Sequence, residues 1–416
     1  MREIPAFVTR SASRKAMLQG LAICAVVILL AAAVPGFQGR QEIIRVGPDL
    51  NLPFSPGVKA GGFIYLSGAL ATDSSGGLVQ GDIRVQTRQV LDNLSQVIAA
   101  AGSSMENVAT VNVFLKHASD FAAMNEVYRG YWPKDPPART TVVANLVLPE
   151  ALIEVSAIAI PTGGERRVVH PPDWARSASP YSYGILSGET LFLAGLVSRK
   201  GQDNSIVEGD IGVQTRTTME NAGQVLQAAG MSYADVVSSR IFITDVADFQ
   251  SMNEAYRSYF AKDPPARATV RAGLMAPQYR VEITMTAVKG SSRQALVAPN
   301  ADGTPGRPNP NLSSAVRAGN RLFLSGMLGN VQGNETDMKA QTRETLARIE
   351  RTLRAAGYGW ENVVDAVVYI TDVGKFADMN AAYREVFRSD FPARATVETG
   401  LVSPTGLVEI MMTAVK

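Results

Sequence analysis

Cysteine is almost missing from this chain. Its 416 residues hold one, Cys24, inside an apolar N-terminal run. Disulfides and thiolate catalysis are therefore excluded from everything downstream. Histidine is nearly as scarce, with only His117 and His170. Two isolated histidines build neither a His-rich metal site nor a repeated Ser-His-Asp triad. Concentrated charge is lacking too. Forty Lys and Arg face 38 Asp and Glu, a formal net charge of +2. Residues 1–40 hold five basic residues and one acidic one, which leaves −2 for the rest. No nucleic-acid partner is indicated, because one calls for a concentrated basic face. The chemistry left is that of Arg, carboxylates, hydroxyls, amides and the backbone. A hydrophobic content of 46% with 19% charge is ordinary for a globular protein.

The N-terminal 1–40 segment reads as an export or anchor signal. Arg10, Arg14 and Lys15 precede an uncharged stretch from Ala16 to Phe37. That is a basic region followed by an apolar one, and Ala31-Ala-Ala33 offers a small-residue cleavage site. The run is at the short end for a spanning helix, which needs about 17–25 residues. A cleaved signal and an uncleaved membrane anchor both fit. Either way the basic end is expected in the cytoplasm and the remainder outside it.

What the chain has in abundance is self-similarity. Gly81-Asp-Ile-Arg-Val-Gln-Thr-Arg88 returns as Gly209-Asp-Ile-Gly-Val-Gln-Thr-Arg216, and more loosely as Met338-Lys-Ala-Gln-Thr-Arg343. Pro137-Ala-Arg139 returns as Pro265-Ala-Arg267 and Pro392-Ala-Arg394, at spacings of 128 and 127 residues. Solenoid units run roughly 20–50 residues, so this period is that of a domain. The expected organisation is three copies, at 42–161, 165–289 and 296–416. Pro161–Pro172 and Gly290–Pro310 read as flexible connectors.

Within copy one, Phe63–Ser67 reads as a strand. Residues 82–101 have helical apolar spacing and end at Ala101-Gly102. Val108–Leu115 is β-rich, and Asp120 is a fair N-cap for a helix reaching about Tyr131. Ala138–Val147 and Leu152–Ile160 read as two strands forming a hairpin. The order β-α-β-α-β-β is an α+β layer with helices on one sheet face. The bare face needs cover, and three linked copies can supply it to each other. A self-contained pseudo-trimer within one chain is therefore expected.

Several polar residues recur. Arg139, Arg267 and Arg394 are each followed two positions on by Thr141, Thr269 and Thr396, on the same strand face. Glu154, Glu282 and Glu409 interrupt otherwise apolar strands, and a carboxylate there calls for a partner. Asn125, Asn253 and Asn380 recur as Met-Asn. One reading is a structural Arg–Glu ion pair that fixes the hairpin. The other is that Arg holds a substrate carboxylate through its two-donor fork while Glu activates water. Recurrence does not decide between them, since duplicates inherit both kinds of residue.

At these residues the chain resembles the RidA family (YjgF/YER057c/UK114). The resemblance covers roughly residues 45–416. It rests on Phe63-Ile-Tyr-Leu-Ser-Gly68, Gln86-Thr-Arg88, Asn125-Glu-Val-Tyr128, Pro137-Ala-Arg139, Ile153-Glu-Val155 and their counterparts. It implies a trimeric, chorismate-mutase-like α+β fold with ligand clefts between subunits. It also implies hydrolysis of enamines and imines to ketones and ammonia, without metal or organic cofactor. The substrate would be an imino acid or another small carboxylate. Arg139, Arg267 and Arg394 would bind the carboxylate, and Glu154, Glu282 and Glu409 would activate water. Asn125, Asn253, Asn380, Thr141, Thr269 and Thr396 would contribute hydrogen bonds. The family's Tyr in Pro-Tyr-Ser is Phe54, Tyr181 and Leu312 here, and its Ser before Gly is Ser67, Ala194 and Ser325. If Tyr, Ser and Glu reach each cleft from one copy and Asn, Arg and Thr from its neighbour, no cleft has the full set. A non-catalytic module that binds a carboxylate or a partner protein is the rival reading. The ribonuclease activity sometimes attributed to the family fits least, given the missing basic face.

Overall fold

Each copy folds as a twisted sheet whose strand order does not follow the chain. A computed structural model describes residue 1 and residues 41–47, 51–290 and 292–416. The apolar stretch 16–37, with the export or anchoring role expected of it, lies outside the described residues. Among the described residues no helix is long and apolar enough to cross a membrane.

In copy one the sheet runs Glu42–Ile44, Gly57–Ala60, Phe63–Ala69, Ile153–Ala159, Val108–Leu115, Ala138–Val143. Neighbours are antiparallel except the last pair, which is parallel. A parallel pair needs a crossover, and the helix Phe121–Tyr131 provides it. Copies two and three repeat the arrangement around the central strands Val281–Val288 and Val408–Val415. The expected hairpin does not exist. Ala138–Val143 and Ile153–Ala159 both pair with Val108–Leu115, from opposite sides. The sequence located both strands, but pairing is set by the crossover, which a linear pattern does not display. The connectors are also more structured than composition suggests. Arg167–Val169 and Gln294–Leu296 are edge strands of the next copy's sheet.

The long helix of each copy starts at an aspartate. Asp82 accepts from the amides of Arg84 and Val85, Asp210 from Val213, and Asp337 from Ala340. Each cap contributes about 1 kcal/mol. Asp120 precedes its helix but makes no capping hydrogen bond, because a 3-10 turn, Ala118–Asp120, leads straight in. One turn into the long helix sits the recurring Gln. Gln86 accepts from the Leu152 amide at 2.8 Å and donates to Glu150 O at 3.2 Å. Gln214 grips Arg280 N and Gln278 O, and Gln341 grips Leu407 N and Thr405 O, in the same way. All three amides are buried and fix the loop just ahead of the Glu-bearing strand.

One apolar core per copy lies between helices and sheet. The opposite sheet faces bury one another. Phe114 and Val142 of copy one pack with Phe242 and Val270 of copy two and Tyr369 and Val397 of copy three. Burial of each such side chain contributes about 1.5–3 kcal/mol. The sheets also trade edges. Asn145–Leu146 of copy one extends the sheet of copy three. Gly400–Leu401 of copy three extends that of copy two, and Gly273 of copy two bridges Val143 of copy one. Three tandem α+β repeats thus form one closed pseudo-trimer.

Candidate active clefts

The strand after each Pro-Ala-Arg runs along the joint with another copy, so each arginine faces a neighbour rather than its own glutamate. Arg139 meets Glu282, Arg267 meets Glu409, and Arg394 meets Glu154. No ion pair joins an arginine to the glutamate of its own copy among the described residues, so the hairpin-fixing reading fails. The order is cyclic: copy one to two, two to three, three to one.

One main-chain bond recurs at each of the three joints. Ser55, Ser182 and Ser313 donate through N–H to Pro392 O, Pro137 O and Pro265 O. Their hydroxyls bond the preceding carbonyl at 2.6 Å, at Phe391, Pro136 and Pro264. This pins the residue just before each serine, namely Phe54, Tyr181 or Leu312, beside the cleft. Gly195 N and Gly326 N donate to Arg139 O and Arg267 O at 3.1 Å.

The guanidiniums are almost fully buried, at 2–3% exposure. Aromatic faces replace part of their lost hydration. Tyr128, Tyr256 and Tyr383 lie 4.7, 4.9 and 4.8 Å from the carbon of Arg139, Arg267 and Arg394. Arg394 also faces Phe54, and Arg139 faces Tyr181. Burial pulls all three arginines below their usual range, Arg394 to about 10. Asn253 Oδ1 accepts from Arg267 at 2.7 Å, and Asn380 Oδ1 from Arg394 at 2.8 Å. Asn125 does not follow: its Oδ1 and Arg139 Nη1 both lack a hydrogen-bond partner.

The glutamates are equally deep. Burial pushes Glu154, Glu282 and Glu409 up to about 8, against the opposing pull of the arginine and one amide. That amide belongs to the recurring threonine, and Glu282 Oε1 accepts from Thr141 N at 3.3 Å. Thr396 N and Thr269 N serve Glu154 and Glu409. Arg394 Nε, Arg267 Nε and Nη1, the hydroxyls of Thr269 and Thr396, and Glu409 Oε2 have no partners. Unpartnered buried donors opposite a carboxyl group leave room to hold an anion and to move a proton.

The structure places Tyr181 as expected and redefines the serines. Ser67 Oγ donates to Ser55 O at 2.6 Å and accepts from Arg394 N at 2.7 Å. Ser325 Oγ donates to Ser313 O and accepts from Arg267 N at 2.8 Å. Their protons are committed to the joint between copies. Reading the sequence missed two sets of cleft residues. The tyrosines at 128, 256 and 383 sit three positions, about one helical turn, after each Asn. Gly68, Gly195 and Gly326 carry the glutamates: a Cβ on them would stand 2.0, 1.9 and 1.9 Å from the Glu Oε1 atoms. The tyrosines keep the 128- and 127-residue period, and each glycine directly follows the Ser or Ala that ends its Leu-Ser or Leu-Ala pair, which was the available signal.

Comparison with known proteins gives the family. The family model described as Endoribonuclease L-PSP matches three times, at 46–161, 173–289 and 305–416. The chain belongs to this family, the RidA or YjgF family. A RutC family protein of Pyrococcus horikoshii is 44% identical over 108 residues, which are 26% of this chain and 86% of the relative. A crystal structure of a chorismatase is 18% identical, with a TM-score of 0.50 over 74% of this chain and 93% of that one, and shares the fold. A crystal structure of Escherichia coli TdcF with bound serine is 27% identical and covers 30% of this chain and 99% of that one, with a TM-score of 0.28. Membership supports an endoribonuclease or imine-deaminase type of activity at the level of the family.

Proposed function

We propose that the clefts hydrolyse small imino acids to ketones and ammonia. One observation carries the reading: a buried arginine with free donors faces a buried glutamate of the next copy, three times over. The guanidinium fork receives the substrate carboxylate, with the Asn amide and Thr hydroxyl beside it. Glu takes a proton from water as the water oxygen attacks the imine carbon. It delivers that proton to the nitrogen to give a carbinolamine. It then takes the carbinolamine hydroxyl proton as the C=O bond forms and passes it to the nitrogen as the C–N bond breaks, so that ammonia leaves with the ketone. A carboxyl group titrating near the working pH suits both transfers. The basic residues ahead of the apolar run argue that this chemistry takes place outside the cytoplasm.

The incomplete sets favour a second reading, a carboxylate-binding module without turnover. The clefts pair Phe54 with Ser67, Tyr181 with Ala194, and Leu312 with Ser325. An amino-acid oxidase that generates imino acids beside the full chain separates the two readings. Ammonia released faster than the buffer rate, and lost in the R139A/R267A/R394A variant with its circular dichroism unchanged, establishes the hydrolase. Ligand-dependent stabilisation without ammonia release establishes the module.

A further inference from the structure

Away from the clefts, the three sheets bound a partly open cavity of about 90 Å³, of mixed polar and apolar lining, on the pseudo-threefold axis. Its wall is drawn from all three copies but is not threefold in chemistry. Arg240, Arg321 and Asp365 line it together with Tyr65 and Asn112. The positions equivalent to Arg240 are Asn112 and Val367. Those equivalent to Asp365 are Thr110 and Ser238, and those equivalent to Arg321 are Phe63 and Thr190. Each charge therefore occurs in one copy only.

The charges do not cancel. Arg240 bonds Asn112 Oδ1, and its field opposes the burial of Asp365. Arg321 is 7% exposed, bonds Thr190 Oγ1, and lies over the rings of Phe63 and Phe323. On the cavity wall its neighbours are Phe323 and Tyr65, whose phenol burial holds protonated; the carboxylate whose field reaches it, Glu189, is exposed and lies outside the wall. Among the lining residues two guanidiniums thus face one carboxylate, and it is Arg240 whose field acts on it. An uncompensated buried cation is strongly destabilising, and a counter-ion relieves it. The space exceeds that of a single water, which needs roughly 10–15 Å³ on the same measure.

We infer that the axial cavity binds a small monovalent anion, of the size of bromide, nitrate or formate, between Arg240 and Arg321. The site is separate from the clefts and does not depend on their chemistry. Asp365 competes with the anion for Arg240.

The test has a positional arm and a solution arm, both on the full chain. Crystals soaked in sodium bromide are expected to show an anomalous peak between Arg240 and Arg321. A cavity without such a peak, in crystals that carry bromide elsewhere, overturns the inference. In solution, bromide, nitrate and formate are expected to raise the melting temperature saturably, with gluconate keeping ionic strength constant. Arg321→Met should weaken that response roughly tenfold or more, as the loss of a charged hydrogen-bond donor does. Asp365→Asn should strengthen it, a result that mere loss of structure does not produce. Equal responses from the wild type and both variants overturn the inference, and if Arg321→Met does not fold, the anomalous map and Asp365→Asn decide.

Discussion

The carboxyl group of Glu154 lies against the α-carbon of Gly68, so close that a methyl group there would stand 2.0 Å from Oε1. The backbone of one strand thus shapes the resting place of the glutamate on the next. Gly68→Ala must push the carboxyl group aside. In a background with the other two clefts silenced by R139A and R267A, turnover through the Arg394–Glu154 cleft should fall about 100-fold, the usual effect of displacing a reacting group by about 1 Å. Steady-state ammonia release measures it, and an unchanged rate would refute the placement.

Protonation gives a stability test. Burial pushes Glu154, Glu282 and Glu409 up to about 8 in the folded chain. Unfolded glutamate titrates near ~4.3. Between those values the folded chain holds protons that the unfolded chain has released. The stability these groups contribute is therefore complete at low pH and is lost as pH rises through about 8. Scanning calorimetry should show the melting temperature falling across that window. The E154Q/E282Q/E409Q variant should show a shallower fall, and parallel curves would count against the shift.

Arg394→Lys keeps a charge and removes the planar fork. Lysine neither stacks as guanidinium does on Tyr383, 4.8 Å away, nor offers paired donors to a carboxylate. With the other two clefts silenced, KM should rise by roughly 10- to 100-fold, a loss of about 1.5–3 kcal/mol in charge-assisted bonding. Initial-rate kinetics with an imino acid checks it. A KM within twofold of the parent would show that Arg394 does not hold the carboxylate.

The bridging serines predict an asymmetric outcome for Ala194→Ser. Ser67 and Ser325 tie two copies together through Arg394 N and Arg267 N. A hydroxyl at 194 should reach Arg139 N and Ser182 O in the same manner. Urea unfolding should show a gain of about 1 kcal/mol. Turnover through the Arg139–Glu282 cleft should stay unchanged, whereas a gain in turnover at equal stability would return the serine to a role in substrate binding.

Repetition made most of the site legible. The spacing of Pro-Ala-Arg and of the strand glutamate picked out the residues that meet in the clefts, and helical periodicity placed Ile83–Ala100 within a residue of its ends. Two properties were not legible. The resemblance alone led to Arg and Glu of different copies being expected in one cleft; which neighbour supplies each glutamate depends on how sheets pack, and strands 15 residues apart in sequence invited a hairpin that the parallel crossover forbids. The glutamate's dependence on Gly68, Gly195 and Gly326 was hidden because those glycines read as strand ends. Ser67 and Ser325 were expected to bind substrate, but a hydroxyl's partners are fixed by the surrounding backbone, the neighbouring copy's included, and leave no trace in the local pattern.

The exchange of edge strands also sets a timetable for synthesis. Asn145 hydrogen-bonds Glu398, a residue that the ribosome adds 253 positions later. At about 5–20 residues per second, that is on the order of 10 to 50 seconds. Early in that interval the first copy's hydrophobic back has nothing to lean on, and its joint with copy three stays open to the end. The chain must be shielded, or kept from settling, until its last domain emerges. A homotrimer of single copies waits for a collision instead, so fusion replaces a concentration-dependent step with a delay fixed by chain length.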